Sequence, residues 1–164
     1  MLNKKVICHD INDKEYEVDS SELKFRPSVY GVIIKDDKIL LSGQWDGYDF
    51  PGGGVEIEET VEEALLREVK EETGLDVEKK EVVHCETSFY KTTKGQCVNS
   101  VLVYFLCEIT GGEISTEFFS ESEKEYANAA EWIDIKDVEK IKFYNSIDSL
   151  EIIRKAEDIL KDNR

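Results

Sequence analysis

The sequence contains few residues of several structurally informative types. Of its 164 residues only four are cysteines, two are histidines and two are prolines. The cysteines are far apart and form no CxxC pair, which argues against a disulfide framework or a structural zinc site. No apolar run approaches the roughly 18 residues that a membrane helix needs, and no signal-peptide stretch opens the chain. We therefore expect a cytoplasmic protein with reduced thiols and no membrane association.

Positive charge is also scarce. Lysine and arginine number 21 against 37 aspartates and glutamates, which gives a formal net charge of −16. This balance argues against binding to nucleic acid or to an anionic membrane, because both need a positive surface. It is compatible with a small phosphate-bearing substrate, since a bound divalent cation can reverse the local field of an acidic site.

The chain has no linker, repeat or low-complexity tract, so we predict one domain over residues 1–164 with an N-terminal β-hairpin extension at 1–27. The apolar pattern predicts further elements: a hairpin at 28–42, a helix at 60–73, strands at 81–90, 97–109 and 131–135, and a helix at 145–161. This order favours an α/β (α+β) fold, in which a mixed β-sheet is sandwiched between helices.

The helix predicted at 60–73 has clear signals at both ends. Thr60 and Glu63 have the spacing of a capping box at its start. Gly74 stands where a left-handed C-terminal cap belongs. The predicted core-facing stripe consists of Val61, Leu65 and Val69.

The same helix places three carboxylates on one face. Glu68, Glu71 and Glu72 lie at positions i, i+3 and i+4, an arrangement that destabilises a helix through like-charge repulsion. Arg67 can offset part of this repulsion by pairing with Glu63 or Glu71, four residues away. One interpretation is a solvated acidic face; the other is a site for a hard divalent cation such as Mg²⁺, which prefers carboxylate oxygens.

The spacing in this segment resembles the Nudix box, G-x5-E-x7-R-E-U-x-E-E-x-G-U, where U is aliphatic. Gly53 is followed by Glu59 and then by the run Arg67 to Leu75, and all nine specified positions match. Nudix proteins are mostly hydrolases that cut a diphosphate linkage in a nucleoside diphosphate joined to another group. The resemblance thus implies the Nudix fold from about residue 28 onwards and a pyrophosphohydrolase of the MutT type.

The resemblance also implies roles for individual residues. Glu59 and Arg67 match positions that orient the box through ion pairs. The matching metal ligands, for Mg²⁺ with Mn²⁺ as a possible substitute, are the Gly52 carbonyl and the carboxylates of Glu68, Glu71 and Glu72. The general base is either Glu68 or a glutamate of a later acidic loop, for which Glu123 and Glu125 are the candidates.

The sequence is less informative about the substrate. The aromatic side chains expected to flank the mouth of the site and stack on a nucleobase are Trp45, Tyr48, Phe89 and Tyr90. ADP-ribose is disfavoured, because hydrolases of that subclass have a proline after the box and this chain has none beyond Pro51. Alternatives are a catalytically idle Nudix domain that senses a nucleotide and a non-hydrolase that uses the fold. A homodimer is expected by analogy with the family.

Overall fold

A computed structural model describes residues 4–163 of the chain. The strands and helices, in chain order, are β1 (Lys5–His9), β2 (Glu15–Asp19), β3 (Lys24–Phe25), β4 (Ser28–Val32), β5 (Ile34–Lys35), β6 (Lys38–Gln44), β7 (Gly47–Asp49), β8 (Gly52–Gly54), α1 (Val61–Thr73), β9 (Leu75–Lys91), β10 (Cys97–Gly112), β11 (Ala127–Asp134) and α2 (Ser149–Asp162). Short 3₁₀ turns connect several of them, among them one at Glu123–Glu125.

The strands form two sheets. The larger has seven strands in the order β2-β1-β9-β10-β4-β8, with β3 also paired to β10. The smaller has four strands, in which β6 lies between β11 and β5 and also pairs with β7. Strand β10 is antiparallel to β9 and parallel to β4 and β3, so the larger sheet is mixed and β10 is central, as its apolar sequence predicts.

Alternating side chains of the strands build two apolar layers. Val29 and Leu40 pack with Leu65 and Val69 of α1 on one side. Their neighbours in the strands face the opposite layer, whose buried members include Val32, Ile39, Leu41, Tyr104, Ile152 and Ile153. Because Ile152 and Ile153 belong to α2, the two helices lie on opposite sides of the strands. This arrangement confirms the predicted sandwich.

Most element boundaries differ from the predicted ones. The two long strands begin or end outside the predicted limits, because β9 starts directly after the helix at Leu75 and β10 continues to Gly112. Strand β11 starts four residues before the predicted position, at Ala127, and α2 starts four residues later than predicted, at Ser149. Val61 was expected in the core-facing stripe, but it is the first residue of α1 and is 41% exposed, whereas Leu65 and Val69 are buried.

The N-terminal residues form the expected hairpin. Strands β1 and β2 are antiparallel, with Cys8 opposite Tyr16. The assignment of residues 1–164 to one domain, with an extension at 1–27, stays a prediction, and residues 1–3 and 164 lie outside the described part. All four cysteines are free thiols, and Cys85 is the exposed one among them. Within residues 4–163, neither helix has both the length and the apolar character that crossing a membrane requires.

Candidate active site

Helix α1 is fixed at both ends by the residues that its sequence predicts. The Thr60 hydroxyl accepts from the Glu63 amide at 3.2 Å, and the Glu63 carboxylate accepts from the Thr60 amide at 2.7 Å. This is a complete capping box. Gly74 ends the helix in the left-handed region at φ 79°, and its amide donates to the Lys70 carbonyl. These caps fix the helix that presents the box glutamates.

Arg67 lies at the centre of the box. Its Nε donates to Glu59 at 3.0 Å and its Nη1 donates to Glu68 at 2.8 Å. The guanidinium also donates to Glu71 at 3.2 Å and to the Gly54 carbonyl at 3.2 Å. Hydrogen bonds from Arg67 lower the pKa of Glu59 to about 2, so this carboxylate stays ionised. One cation thus fixes the positions of three carboxylates and the glycine loop.

The structure confirms the expected pairing of Arg67 with one of its two candidate partners. The Glu71 partner is present, whereas Glu63 is used by the helix cap and does not contact Arg67. Glu59, eight residues earlier, takes its place because the loop before α1 turns back over the helix. This contact has the orienting geometry that the resemblance implies for Glu59 and Arg67.

Three carboxylates converge beside Arg67. One oxygen from each of Glu68, Glu71 and Glu123 lies within 4.8 Å of the other two. Two oxygens on opposite sides of a Mg²⁺ ion are about 4.2 Å apart, because each bond is about 2.1 Å long. The cluster therefore has the donor type that a hard divalent cation prefers, and its oxygens are close enough together for a modest shift of the side chains to bring them around one ion. Glu123 is buried in the 3₁₀ turn, where its carboxylate accepts from the Ser120 amide at 2.6 Å.

The charge balance of the cluster also favours a cation. Burial raises the pKa of Glu68, Arg67 lowers it, and the charges of Glu71 and Glu123 raise it again. Carboxylates that repel one another in a partly buried site are stabilised by a positive ion between them. Glu125, the other candidate on this loop, is exposed and does not belong to the cluster.

Glu72 lies apart from this cluster. It is 9% exposed, and its Oε2 accepts from the Ser42 hydroxyl at 2.7 Å and from the Gly52 amide at 3.2 Å. Burial raises the pKa of Glu72 well above its usual value. In this structure Glu72 ties strand β8 to the helix and lines the same cleft as Glu68, Glu71 and Glu123. Its role as a metal ligand stays a prediction.

The glycines of the box allow a close approach between loop and helix. A Cβ atom on Gly53 would lie 2.7 Å from the Glu68 carboxylate. A Cβ atom on Gly54 would lie 2.8 Å from the Arg26 guanidinium. The loop backbone therefore passes between the acidic cluster and Arg26, and side chains at these two positions would displace one or the other.

A cleft of about 820 Å³ opens beside the acidic cluster. Trp45 and Tyr90 line it, as the sequence predicts, but Tyr48 and Phe89 do not. Phe89 points away because side chains alternate along a strand and its neighbour Tyr90 faces the cleft. Tyr48 packs beside the core and donates from its hydroxyl to Glu131 at 3.3 Å.

The cleft is also lined by residues that the sequence does not predict. Tyr126 stacks on Trp45 with ring centroids 5.0 Å apart, and Tyr144 packs edge-on at 4.9 Å. Trp45 has φ 45°, rare for an aromatic residue, and its amide donates to the Tyr126 carbonyl at 2.9 Å. Three basic residues also line the cleft: Lys24, Arg26 and Lys94. No local motif marks any of these positions, since loops distant in sequence bring them together.

Comparison with known proteins agrees with this geometry. The family profile of the NUDIX domain matches residues 24–154. An ADP-ribose pyrophosphatase of Methanocaldococcus jannaschii is 34% identical over 79% of this chain and 75% of its own length. An RNA pyrophosphohydrolase of Stutzerimonas stutzeri is 32% identical over 54% of this chain and 64% of its own length.

Solved structures give the same result. The crystal structure of an ADP-ribose pyrophosphatase from Streptococcus suis superposes with a TM-score of 0.63 at 26% identity. The match covers 85% of this chain and 94% of that one. The chain therefore belongs to the NUDIX family, and it is an enzyme of the pyrophosphohydrolase class of that family.

Proposed function

We propose that this protein hydrolyses a diphosphate linkage in a nucleoside diphosphate derivative, with Mg²⁺ as cofactor and Mn²⁺ as a possible substitute. The observation that carries the proposal is the convergence of Glu68, Glu71 and Glu123 within 4.8 Å at the wall of a cleft. The substrate is a small nucleotide-type molecule, as is general for the NUDIX family to which the chain belongs.

Each residue of the cluster has a role in the proposed reaction. Glu68, Glu71 and Glu123 would hold the divalent cation, together with Glu72, which the family resemblance adds as a ligand. The cation would polarise the phosphoryl oxygens and neutralise the leaving phosphate. Arg67 holds Glu68 and Glu71 in place through its hydrogen bonds. The Gly52 carbonyl, which the family resemblance adds as a ligand, is positioned by the contact of its own amide with Glu72.

We assign the general base to Glu123. Two candidates stand in the cluster, and Arg67 donates to one of them, Glu68, at 2.8 Å. A hydrogen bond from a cation makes a carboxylate a weaker acceptor for a proton. Glu123 has no contact with Arg67 and accepts from the Ser120 amide. Both carboxylates would also hold the cation, so the hydrogen bond from Arg67 is what distinguishes them, and Glu123 is the better candidate to orient a water molecule and take its proton during attack on phosphorus.

ADP-ribose becomes the first substrate to test. Two similar proteins are named ADP-ribose pyrophosphatases, at 34% and 26% identity. We give this similarity more weight than the absence of a proline after the box, which disfavours ADP-ribose in the sequence. The aromatic and basic lining of the cleft suits a nucleotide, because rings stack on a base while cations bind phosphate.

The experiment is a turnover screen at mildly alkaline pH with Mg²⁺, Mn²⁺ or EDTA. The panel contains ADP-ribose, nucleoside triphosphates, dinucleoside polyphosphates, nucleotide sugars, NADH and coenzyme A, and the products are identified. We expect metal-dependent cleavage of one class, and its loss in Glu71→Gln but not in Glu117→Gln, a matched change at an exposed site. Tight nucleotide binding without any turnover would instead identify a sensor domain.

We also propose a homodimer. Strand β2 is the outer strand of the larger sheet, and an edge strand presents unpaired backbone groups to a second chain. Light scattering tests this proposal, because a monomeric mass would reject it.

A further inference from the structure

One member of the acidic cluster comes from a loop. Glu68 and Glu71 belong to α1, whose two ends are capped, whereas Glu123 lies in the loop of residues 115–126. The carboxylate and the amide of Glu123 both pair with Ser120, so these hydrogen bonds stay within the loop. The distance from Glu123 to the two helix carboxylates therefore depends on where the loop as a whole is held.

Hydrogen bonds attach this loop at its two ends. Among residues 4–163, two such bonds connect it to other segments. The Ser115 amide donates to the Thr73 carbonyl at 3.0 Å, and the Trp45 amide donates to the Tyr126 carbonyl at 2.9 Å. Tyr126 follows Glu123 by one turn, and its own amide donates to the Glu123 carbonyl at 3.0 Å. The attachment next to Glu123 is therefore the one made by Trp45.

Trp45 contacts this end of the loop with its backbone and with its ring. The indole stacks on the Tyr126 ring with centroids 5.0 Å apart and an interplanar angle of 25°. The Trp45 carbonyl accepts from the Asn128 side-chain amide at 3.3 Å, just beyond the loop. Tyr144 packs on the indole at 61°, with centroids 4.9 Å apart. The indole thus contacts two segments that line the cleft.

The backbone conformation of Trp45 is unfavourable for this residue type. Gln44 pairs with Gly47, so Trp45 and Asp46 form a two-residue turn between β6 and β7. Trp45 has φ 45°, which lies in the left-handed region that glycine adopts freely and an aromatic residue rarely does. Tight hairpin turns commonly have glycine at such a position. Local backbone preference therefore gives no reason for a tryptophan here, whereas the contact of its ring with Tyr126 does.

We propose that Trp45 is a positioning residue, which holds the loop of residues 115–126 so that Glu123 reaches Glu68 and Glu71. This inference rests on the proposed metal centre, and it adds a residue outside the box on which that centre depends. Without the indole, one backbone hydrogen bond holds this end of the loop, and Glu123 moves away from the helix. The remaining carboxylates then bind a cation more weakly, because one ligand is missing.

The sequence places Trp45 among the side chains expected to stack on a nucleobase, and the two roles affect different quantities. A stacking residue changes the KM of the nucleotide and leaves metal binding to the nucleotide-free protein as it is. A positioning residue changes metal binding before any nucleotide is present. The Mn²⁺ affinity of the nucleotide-free protein therefore distinguishes the two roles.

The test is Mn²⁺ binding to the nucleotide-free protein, measured by electron paramagnetic resonance in three variants of Trp45. Trp45→Ala and Trp45→Gly both remove the ring, and we expect each to raise the Kd for Mn²⁺ by about tenfold or more, as loss of an outer support of a metal site does. Trp45→Phe keeps a ring that can stack on Tyr126, so its Kd should stay within about threefold of the wild-type value.

The glycine variant separates positioning from stability. Trp45→Gly should melt at a higher temperature than Trp45→Ala, because glycine adopts φ 45° without strain. If the two variants lose Mn²⁺ affinity equally, the loss follows the missing ring and not the stability of the turn. A wild-type Kd in Trp45→Gly, with a loss in Trp45→Ala alone, would overturn the inference, because the effect would then come from the strained turn.

Amide hydrogen exchange of the metal-free protein tests the loop itself. The amides of Lys124, Glu125 and Tyr126 donate to carbonyls within the loop. We expect these three amides to exchange faster in Trp45→Gly than in the wild type, while the amides of α1 keep their protection. Unchanged exchange at the three amides would mean that Trp45 does not hold the loop.

Phe118→Ala is the matched control. Phe118 lies in the same loop and is 44% exposed, close to the 42% of Trp45. Its ring lies 5.1 Å from Lys70 Nζ, at the opposite end of the loop from Tyr126. Removal of this exposed ring should keep the Kd for Mn²⁺ within about twofold of the wild-type value. An equal loss of affinity in Phe118→Ala and Trp45→Ala would overturn the inference, because any weakened contact of the loop would then have the same effect.

The outcomes separate this inference from the proposed function. If Trp45→Ala and Trp45→Gly bind Mn²⁺ as the wild type does while Glu123→Gln binds it weakly, Trp45 has no positioning role and the metal centre stands. A raised KM with unchanged Mn²⁺ affinity leads to the same conclusion and assigns Trp45 to nucleotide stacking. If Glu123→Gln itself binds Mn²⁺ as the wild type does, the proposed metal centre is wrong.

Discussion

Replacement of Asp49 by asparagine should stabilise the fold at neutral and alkaline pH. Asp49 ends β7 in the wall of the cleft. Burial raises its pKa from 3.8 to about 7, and hydrogen bonds from Phe50 and Asn145 offset only part of that rise. Between pH 3.8 and about pH 7, Asp49 keeps its proton in the folded protein but has lost it in the unfolded chain. The stability of the protein therefore decreases as the pH rises through this window, and above pH 7 the folded state carries the full cost of the charge.

The size of this cost follows from the pKa values. A difference of about three pKa units corresponds to about 4 kcal/mol, at 1.36 kcal/mol per unit. This is an upper limit, because water in the cleft solvates the carboxylate, and we expect Asp49→Asn to gain at least about 1 kcal/mol at pH 8. A gain of that size raises Tm by about 2–4 °C in a domain of this length.

The assay is thermal and urea unfolding of the metal-free protein in EDTA from pH 5 to pH 8.5. The advantage of Asp49→Asn should grow with pH up to about 7 and then level off. The neighbouring hydroxyls of Tyr30 and Tyr104 stay neutral in this range because their pKa values are raised. Asp36→Asn, at an exposed turn between β5 and β6, should show no such trend. Equal stability of Asp49→Asn and wild type at pH 8, or a difference that does not change with pH, would refute the reasoning.

Other predictions concern the frame around the site. Arg67→Ala should lower kcat by about 10- to 100-fold with little change in KM, because the metal-binding carboxylates lose the guanidinium that orients them. Steady-state kinetics measures this effect, and an unchanged kcat would contradict it. Gly74→Ala should cost several kcal/mol in urea unfolding, because its Cβ would overlap the backbone carbonyl oxygen of Glu113. Gly95→Ala, at φ 82° in open space, should cost about 1 kcal/mol. Thr60→Ala should cost about 1 kcal/mol through the lost cap and Thr60→Ser almost nothing, and equal losses in both would argue against the capping role.

The box helix could be predicted because its signals are local. Thr60 and Gly74 mark its ends, and the spacing of Glu68, Glu71 and Glu72 places them on one face whatever the rest of the chain does. The order of the predicted strands and helices was likewise enough to predict a mixed sheet between helices. Boundaries such as the start of β9 at Leu75 were less predictable, because pairing with β10 extends a strand into polar sequence.

The remainder of the site depends on contacts between distant segments. Glu123 enters the acidic cluster because its loop folds back over α1, and nothing near it in the sequence separates it from Glu125. Glu72 matches the motif as well as Glu68 does, yet a serine on β6 and a glycine on β8 bind its carboxylate. Asp49 belongs to no sequence motif. Its burial without a basic partner among the described residues becomes visible only when the surrounding side chains are placed.

The most direct test of the site is Mn²⁺ binding, measured by electron paramagnetic resonance in Glu123→Gln and Glu125→Gln. Both residues lie in one 3₁₀ turn and both changes remove one negative charge, but only Glu123 belongs to the acidic cluster. We expect Glu123→Gln to weaken Mn²⁺ binding by about tenfold or more and to abolish metal-dependent turnover, since loss of a ligand costs at least as much as loss of its support. Glu125→Gln should match the wild type. Wild-type Mn²⁺ affinity in Glu123→Gln, or an equal loss in both variants, would contradict a metal centre formed by Glu68, Glu71 and Glu123.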